Sequence, residues 1–154
     1  MPNLWTRGKV VSANKSVGDP NQTHRFTVEI DGVTLGGIHR VDGIVHENEV
    51  ITTHDGDMQH QQLAPGRIVQ GTITIERDFV ATREFVDWRR TVIDGKTVRK
   101  SLSVVALAPD GTESIRYNFF ECWPKKYTGP SFNSRNSANA TEALEIVYEH
   151  YEMK

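Results

Sequence analysis

The chain has 154 residues and a mass of 17.4 kDa, the size of one ordinary domain and long enough to bury a core without staples. Charged residues make up 25% and hydrophobic residues 37%, a mixture too apolar for a wholly disordered chain. The net charge of −2 argues against a basic, polyanion-coating protein, and a single cysteine, Cys122, excludes an intramolecular disulfide and any cysteine-rich metal site.

Val, Ile and Thr together number 40, against 6 Leu and 8 Ala. Side chains branched at Cβ are stiff at χ1 and suit a pleated surface, so the composition predicts a mainly β fold. The opening MPNLWTRGKV holds no apolar run of signal-peptide length. No stretch approaches the ~18 apolar residues that a membrane-spanning helix requires, so a soluble chain in a reducing compartment is expected. The Asn-X-Ser/Thr sequons at Asn14, Asn21 and Asn139 read as coincidences in polar loops.

In chain order, residues 1–23 are rich in Asn, Ser, Gly and Pro around a small apolar patch at Trp5 and Val10–Val11, and read as an N-terminal arm. Phe26, Val28 and Ile30 then alternate with Thr27, Glu29 and Asp31, which predicts a half-buried strand. Asp31-Gly32 signals a hairpin turn, and the return strand is expected over Val33–Val41, with Gly36-Gly37 marking a bulge or a close backbone contact. A third strand, Ile44–Thr53, leads into a long polar loop over 54–66, and a fourth strand is expected over Arg67–Arg77.

The period then changes. Phe85, Trp88 and Val92, flanked by Val86 and Ile93, follow helical spacing and predict an amphipathic helix over Thr82–Asp94. Thr82 is the expected N-cap and Gly95 the residue that ends the helix. Strands return at Thr97–Ala108, Ser114–Trp123 and Glu142–Glu152, with a Pro/Gly/Asn/Ser-rich crossing over 124–141. The total is about seven strands and one helix, with no linker that would divide the domain.

No Gly-rich phosphate loop, GxSxG elbow or HExxH helix occurs, so no catalytic constellation stands out. His54, Asp55, Asp57 and His60 could ligate a divalent metal, with His46 joining from the preceding strand. Their spacing fits no standard metal motif, and a solvated loop with ordinary Asp-Gly turn chemistry is the better reading. The cations Arg89, Arg90, Lys96, Arg99 and Lys100 could touch nucleic acid. Acidic neighbours Asp87 and Asp94 dilute their field, which favours a cation-complemented helix end or salt bridges to another protein. Cys122 reads as a small buried hydrophobe, and Trp88 and Trp123 as core residues. The closing strand sets Leu144, Ile146 and Tyr148 against Glu145, Val147 and Glu149, a surface suited to burial against other subunits. Several strands have contact-competent faces on both sides, and sheet edges left exposed must be paired or covered.

The order of these motifs resembles that of the tail tube proteins of contractile phage tails and related contractile injection systems. The likeness runs from Asp19 to Tyr151: Asp19-Pro20 and Arg25–Gly32, Leu63–Gly66, Gly71–Arg77, Phe85–Lys96 with Trp88, Arg89, Arg90 and Gly95, Asp110-Gly111, Trp123-Pro124, Gly129-Pro130, and the closing strand with Glu142 and Glu149. Residues 1–18 precede it as an extension, and 19–154 form the tail-tube-like domain. The resemblance implies two packed sheets forming a β-barrel with one flanking helix, and a homohexameric ring stacked into a hollow tube inside a contractile sheath. It further implies sheath and baseplate proteins as partners, cargo or DNA passing through the lumen without sequence-specific binding, cytoplasmic assembly into a phage tail or injection particle, no membrane insertion, no cofactor or metal, and no enzyme activity.

Within that reading His54, Asp55, Asp57, His60 and Gln61 are expected to form an inter-ring loop, and Phe85, Trp88 and Val92 to anchor the helix on the barrel. A baseplate adaptor ring, a small ligand-binding β-barrel and a metalloenzyme using the His/Asp loop are the alternatives.

Overall fold

A computed structural model of the chain describes residues 25–79 and 82–154. The N-terminal arm, with Trp5 and Val10–Val11, and the Asp19-Pro20 motif lie outside the described residues. Ten strands and one helix follow. They are β1 (Phe26–Ile30), β2 (Val33–Leu35), β3 (Ile38–Asp42), β4 (Glu47–Thr53), β5 (Gln62–Val69), β6 (Thr72–Asp78), α1 (Glu84–Ile93), β7 (Lys100–Leu107), β8 (Glu113–Thr128), β9 (Thr141–Val147) and β10 (His150–Met153).

The strands form two sheets that share β8. One runs β2-β1-β7-β8-β10 and the other β8-β9-β6-β3, with every pairing antiparallel. β8 passes from one sheet to the other: its first part pairs with β7 and its last part with β9. Glu121 stands where the two parts meet and takes a positive φ of 54°, which turns the strand. One core joins both sheets, with Val28, Leu102 and Phe119 from the first and Ile73, Ile75, Leu144 and Ile146 from the second. Among the described residues the path of paired strands stays open at β2 and β3. Near that opening the sheets part into a groove lined by Phe26, Val41, Ile44 and Tyr117.

Several elements differ from the sequence reading. Asp31 and Gly32 both have positive φ, 50° and 79°, as a type I′ turn requires, and β1 pairs with β2 as expected. The return strand, however, is divided at Gly36-Gly37: β2 stays beside β1, whereas β3 crosses to pair with β6. The expected third strand shortens to β4, and the polar loop to 54–61, because Leu63-Ala64-Pro65-Gly66 belongs to β5. The expected fourth strand is split between β5 and β6. Trp123-Pro124 does not end β8. Pro124 sits at an irregularity of the β8–β9 ladder, where its missing N–H is tolerated, so the crossing begins only after Thr128. The closing strand is likewise two strands, β9 on β6 and β8, and β10 on β8.

Helix α1 begins one residue later than the expected cap implies. Arg83, not Thr82, occupies the N-cap position, and no side chain caps the helix there. The Thr82 hydroxyl instead accepts a hydrogen bond from Arg77 Nη2 at 3.1 Å. At the other end Gly95, with φ 73°, donates to the carbonyl of Val92, and Lys96 N–H donates to that of Thr91, a Schellman closure.

Candidate assembly surfaces

Among the described residues, strands β4 and β5 form a two-stranded hairpin that pairs with neither main sheet. At about 3.4 Å per residue a seven-residue strand reaches roughly 20–24 Å. The root is fastened on both sides: Tyr148 OH donates to Val45 O at 2.9 Å, and Gln70 Nε2 donates to Glu149 O at 3.0 Å. Burial raises the Tyr148 hydroxyl above its ordinary pKa and so keeps it a donor. Beyond the root the hairpin is bare. Register puts Val50 opposite Pro65, Thr52 opposite Leu63 and Asn48 opposite Ile68, so these side chains share one face. On it Val50 is 65% exposed, Leu63 67% and Ile68 60%. Three large aliphatic side chains in water on one ribbon are what a contact surface looks like before its partner arrives. A hairpin of two strands alone is also marginal in water, so burial of that face is the stabilisation it lacks.

The loop residues singled out from sequence, His54, Asp55, Asp57, His60 and Gln61, all lie exposed at the tip of this hairpin. Met58 N–H closes a turn on Asp55 O at 3.1 Å, and Gln61 Nε2 lies 3.2 Å from His54 Nε2. Among the described residues no group of three or more His, Cys, Asp or Glu side chains is arranged to hold a metal ion. Arg99, from the cation cluster, pairs with Glu149 and, at 3.8 Å, with Glu121. Lys100 lies over the Trp88 ring at 5.4 Å.

Of the helix residues singled out, Phe85 and Trp88 belong to the buried core cluster, and Val92 is half-buried. Trp88 Nε1 donates to Val98 O at 2.7 Å, tying the helix to the segment after it. The stronger attachment is one the sequence reading missed. Arg77 on β6 and Glu142 on β9 are 2% and 1% exposed and face each other in register. Arg77 Nε donates to Glu142 Oε1 at 2.5 Å, Nη1 to Glu84 Oε2 at 3.1 Å, and the guanidinium lies 3.9 Å over the Phe85 ring. Tyr127 OH on β8 donates to the second Glu142 oxygen at 2.8 Å. Burial, followed by that bond to a carboxylate, pushes the Tyr127 hydroxyl up to about 12. The Arg77–Glu142 pair thus joins the first turn of α1 to three strands of the second sheet. A signal for it existed: Arg77 continues the inward phase of Ile73 and Ile75, and Glu142 that of Leu144 and Ile146. Charged residues at a core phase must be paired when buried.

Free strand edges complete the inventory. Among the described residues β2 and β3 end their sheets, and β10 borders only β8. Unpaired edge amides recruit further strands unless covered.

The fold and its surfaces define a mainly β protein with a two-sheet body, sheet edges left open among the described residues, and one exposed, anchored hairpin. The chain belongs to the T4-like virus tail tube protein gp19 family, whose profile matches residues 22–152. No curated protein matches the sequence. Among solved structures, a chain of the extended-state sheath–tube complex of the PVC extracellular contractile injection system is 21% identical, with TM-score 0.81 over 90% of this chain and 93% of that one. A chain of the anti-feeding prophage tube-terminating cap is 17% identical, with TM-score 0.85 over 96% and 99%. Hcp1 from Flavobacterium johnsoniae is 18% identical, with TM-score 0.56 over 84% and 94%. At these identities the likeness is one of fold. Among the described residues no helix is long and apolar enough to cross a membrane.

Proposed function

We propose that this chain is a subunit of the inner tube of a contractile phage tail or injection system, forming homohexameric rings that stack into a hollow tube. The observation that carries the reading is the bare hairpin on a member of the tail tube family. Its tip residues, His54, Asp55, Asp57, His60 and Gln61, extend away from the two-sheet body and make the inter-ring contact. Phe85, Trp88 and Val92 seat the helix on that body, so that the ring behaves as a stiff unit. The two sheets act as a barrel left open between β2 and β3, and neighbouring copies complete it by pairing with the free edges. Identical copies joined through two different patches form closed rings or stacks, according to the rotation between them.

The work is mechanical: sheath and baseplate proteins hold the tube, and cargo or DNA passes through its lumen without being transformed. Replacing Asp55–Gln61 with a short Gly/Ser turn leaves sixfold rings and abolishes long tubes, as negative-stain microscopy would show. Normal tubes from that variant, or a wild-type chain that stays monomeric at every concentration, would refute the assignment. The likeness to a chain from a tube-terminating cap supports a second reading, a ring that ends or adapts the tube. Purified wild-type protein that stops at single rings would favour it.

A further inference from the structure

On the side of the body formed by α1 and the last part of β8 lies a groove of 420 Å³, with Val86, Ile93 and Tyr127 as its apolar lining. Four cations share the lining: Arg89, Arg90, Lys125 and Lys126. None of them forms an ion pair with a described carboxylate. Ile93 is among the most exposed aliphatic residues of the body. The groove therefore presents apolar and positive side chains together, and is unoccupied by any described part of the chain.

The hairpin offers the complement. Between residues 47 and 69 stand four carboxylates, Glu47, Glu49, Asp55 and Asp57, against a single cation, Arg67. Those carboxylates are equally without ion pairs among the described residues. Asp55 and Asp57 stand at the tip beyond the exposed Val50, Leu63 and Ile68, while Glu47 and Glu49 alternate to the opposite face beside Ile51 and Val69. Two surfaces of one chain thus match in both character and charge, apolar to apolar and negative to positive.

We infer that the β4–β5 hairpin of one copy docks in the α1/β8 groove of a copy in the next ring. Its acidic tip reaches Arg89, Arg90, Lys125 and Lys126, and its aliphatic face covers Val86 and Ile93. This rests on the tube reading and names the surface that receives the hairpin. The patches differ, so the contact is heterologous and leaves a free hairpin at one end of each stack and a free groove at the other, which is the geometry of unlimited growth. Apolar cover supplies adhesion, while the charges fix register and speed encounter.

Charge exchange in the full-length chain tests it. Asp55→Lys/Asp57→Lys and Arg90→Glu/Lys125→Glu are each expected to leave rings intact and to lower the fraction in rods about tenfold or more, the effect of losing at least one close charge pair. Combining all four substitutions restores rods. Restoration is the decisive readout, because a merely misfolded variant would not be rescued by a second pair of changes. As a second measurement, Asp57→Cys protein mixed with Lys125→Cys protein should yield an intermolecular disulfide on mild oxidation, with each variant alone giving none between those sites. Rods at wild-type level in both charge variants, no rescue on combination, or no mixed disulfide would overturn the docking while leaving the tube assignment standing. A wild-type chain that forms no rings would instead overturn both.

Discussion

Removal of the Glu142 carboxylate is the sharpest test of the internal architecture. Glu142 is 1% exposed and accepts from Arg77 at 2.5 Å and from Tyr127 at 2.8 Å. In Glu142→Ala the guanidinium, itself 2% exposed, keeps only Glu84 and Thr82 as polar partners, and Tyr127 OH loses its acceptor. Breaking a buried pair from one side costs about 3–5 kcal/mol, and the largely exposed Glu84 carboxylate that the guanidinium keeps holds the loss to the lower part of that range, about 3–4 kcal/mol. The stranded hydroxyl adds about 1 kcal/mol or more. A loss of about 4–5 kcal/mol is a large share of a typical stability of ~5–15 kcal/mol. At about 2–4 °C per kcal/mol for a chain of this size, it lowers Tm by roughly 8–20 °C.

Urea titration and calorimetry of parent and variant, held in the same oligomeric state, measure it. A triple replacement, Arg77→Met with Glu142→Leu and Tyr127→Phe, should recover most of the loss, since an apolar substitute of similar volume needs no partner. Glu142→Ala within about 1 kcal/mol of the parent, smaller than a single typical hydrogen-bond and burial penalty combined, would refute the reasoning. A triple variant as unstable as Glu142→Ala would show that the loss came from packing and not from the stranded charge.

Two further tests follow from the core. Trp88→Ala removes a buried indole and its bond to Val98 O, and should cost about 3–5 kcal/mol in the same titration; a variant as stable as the parent would contradict the packing of α1. Burial pushes the Cys122 thiol from its ordinary 9.0 up to about 12, and Tyr127 rises from 10.0 to about 12. In this range the folded state holds protons that the unfolded state has released, so stability is complete below pH 9 and falls as pH climbs from 9 toward 12. Native protein at pH 8 should leave a thiol reagent unconsumed and react only after denaturation, and Cys122→Ala should flatten the alkaline decline.

The parts legible in the sequence were those with local causes. Asp31-Gly32 set the β1–β2 turn through its backbone preference, and the spacing of Phe85 and Trp88 set α1. The inward phase of Leu144, Ile146 and Tyr148 was readable from alternation alone. Less legible were places where one run of residues serves two partners. Val33–Val41 reads as one strand because β2 and β3 have similar composition, yet Gly36-Gly37 lets the chain leave one sheet for the other. β8 outlasts Pro124 because the ladder is irregular there, a property of its pairing with β9 and not of the proline. The hairpin tip is legible from length and polarity and β4 from its strand pattern, but residues 62–66 of β5 read as loop because exposed strands carry no alternation of burial.

By itself the sequence determined that the chain is mainly β, that one amphipathic helix interrupts the strands, and, through the order of its motifs, which family it resembles. Turn chemistry, side-chain stiffness and periodicity act over a few residues, so they are written in the order of the letters. Tertiary structure alone decided that Arg77 meets Glu142 across 65 residues, that β8 belongs to two sheets, and that β4 and β5 leave the body with their aliphatic side chains uncovered. Those facts depend on which strands pair, and pairing is settled by contacts between segments that no local pattern joins.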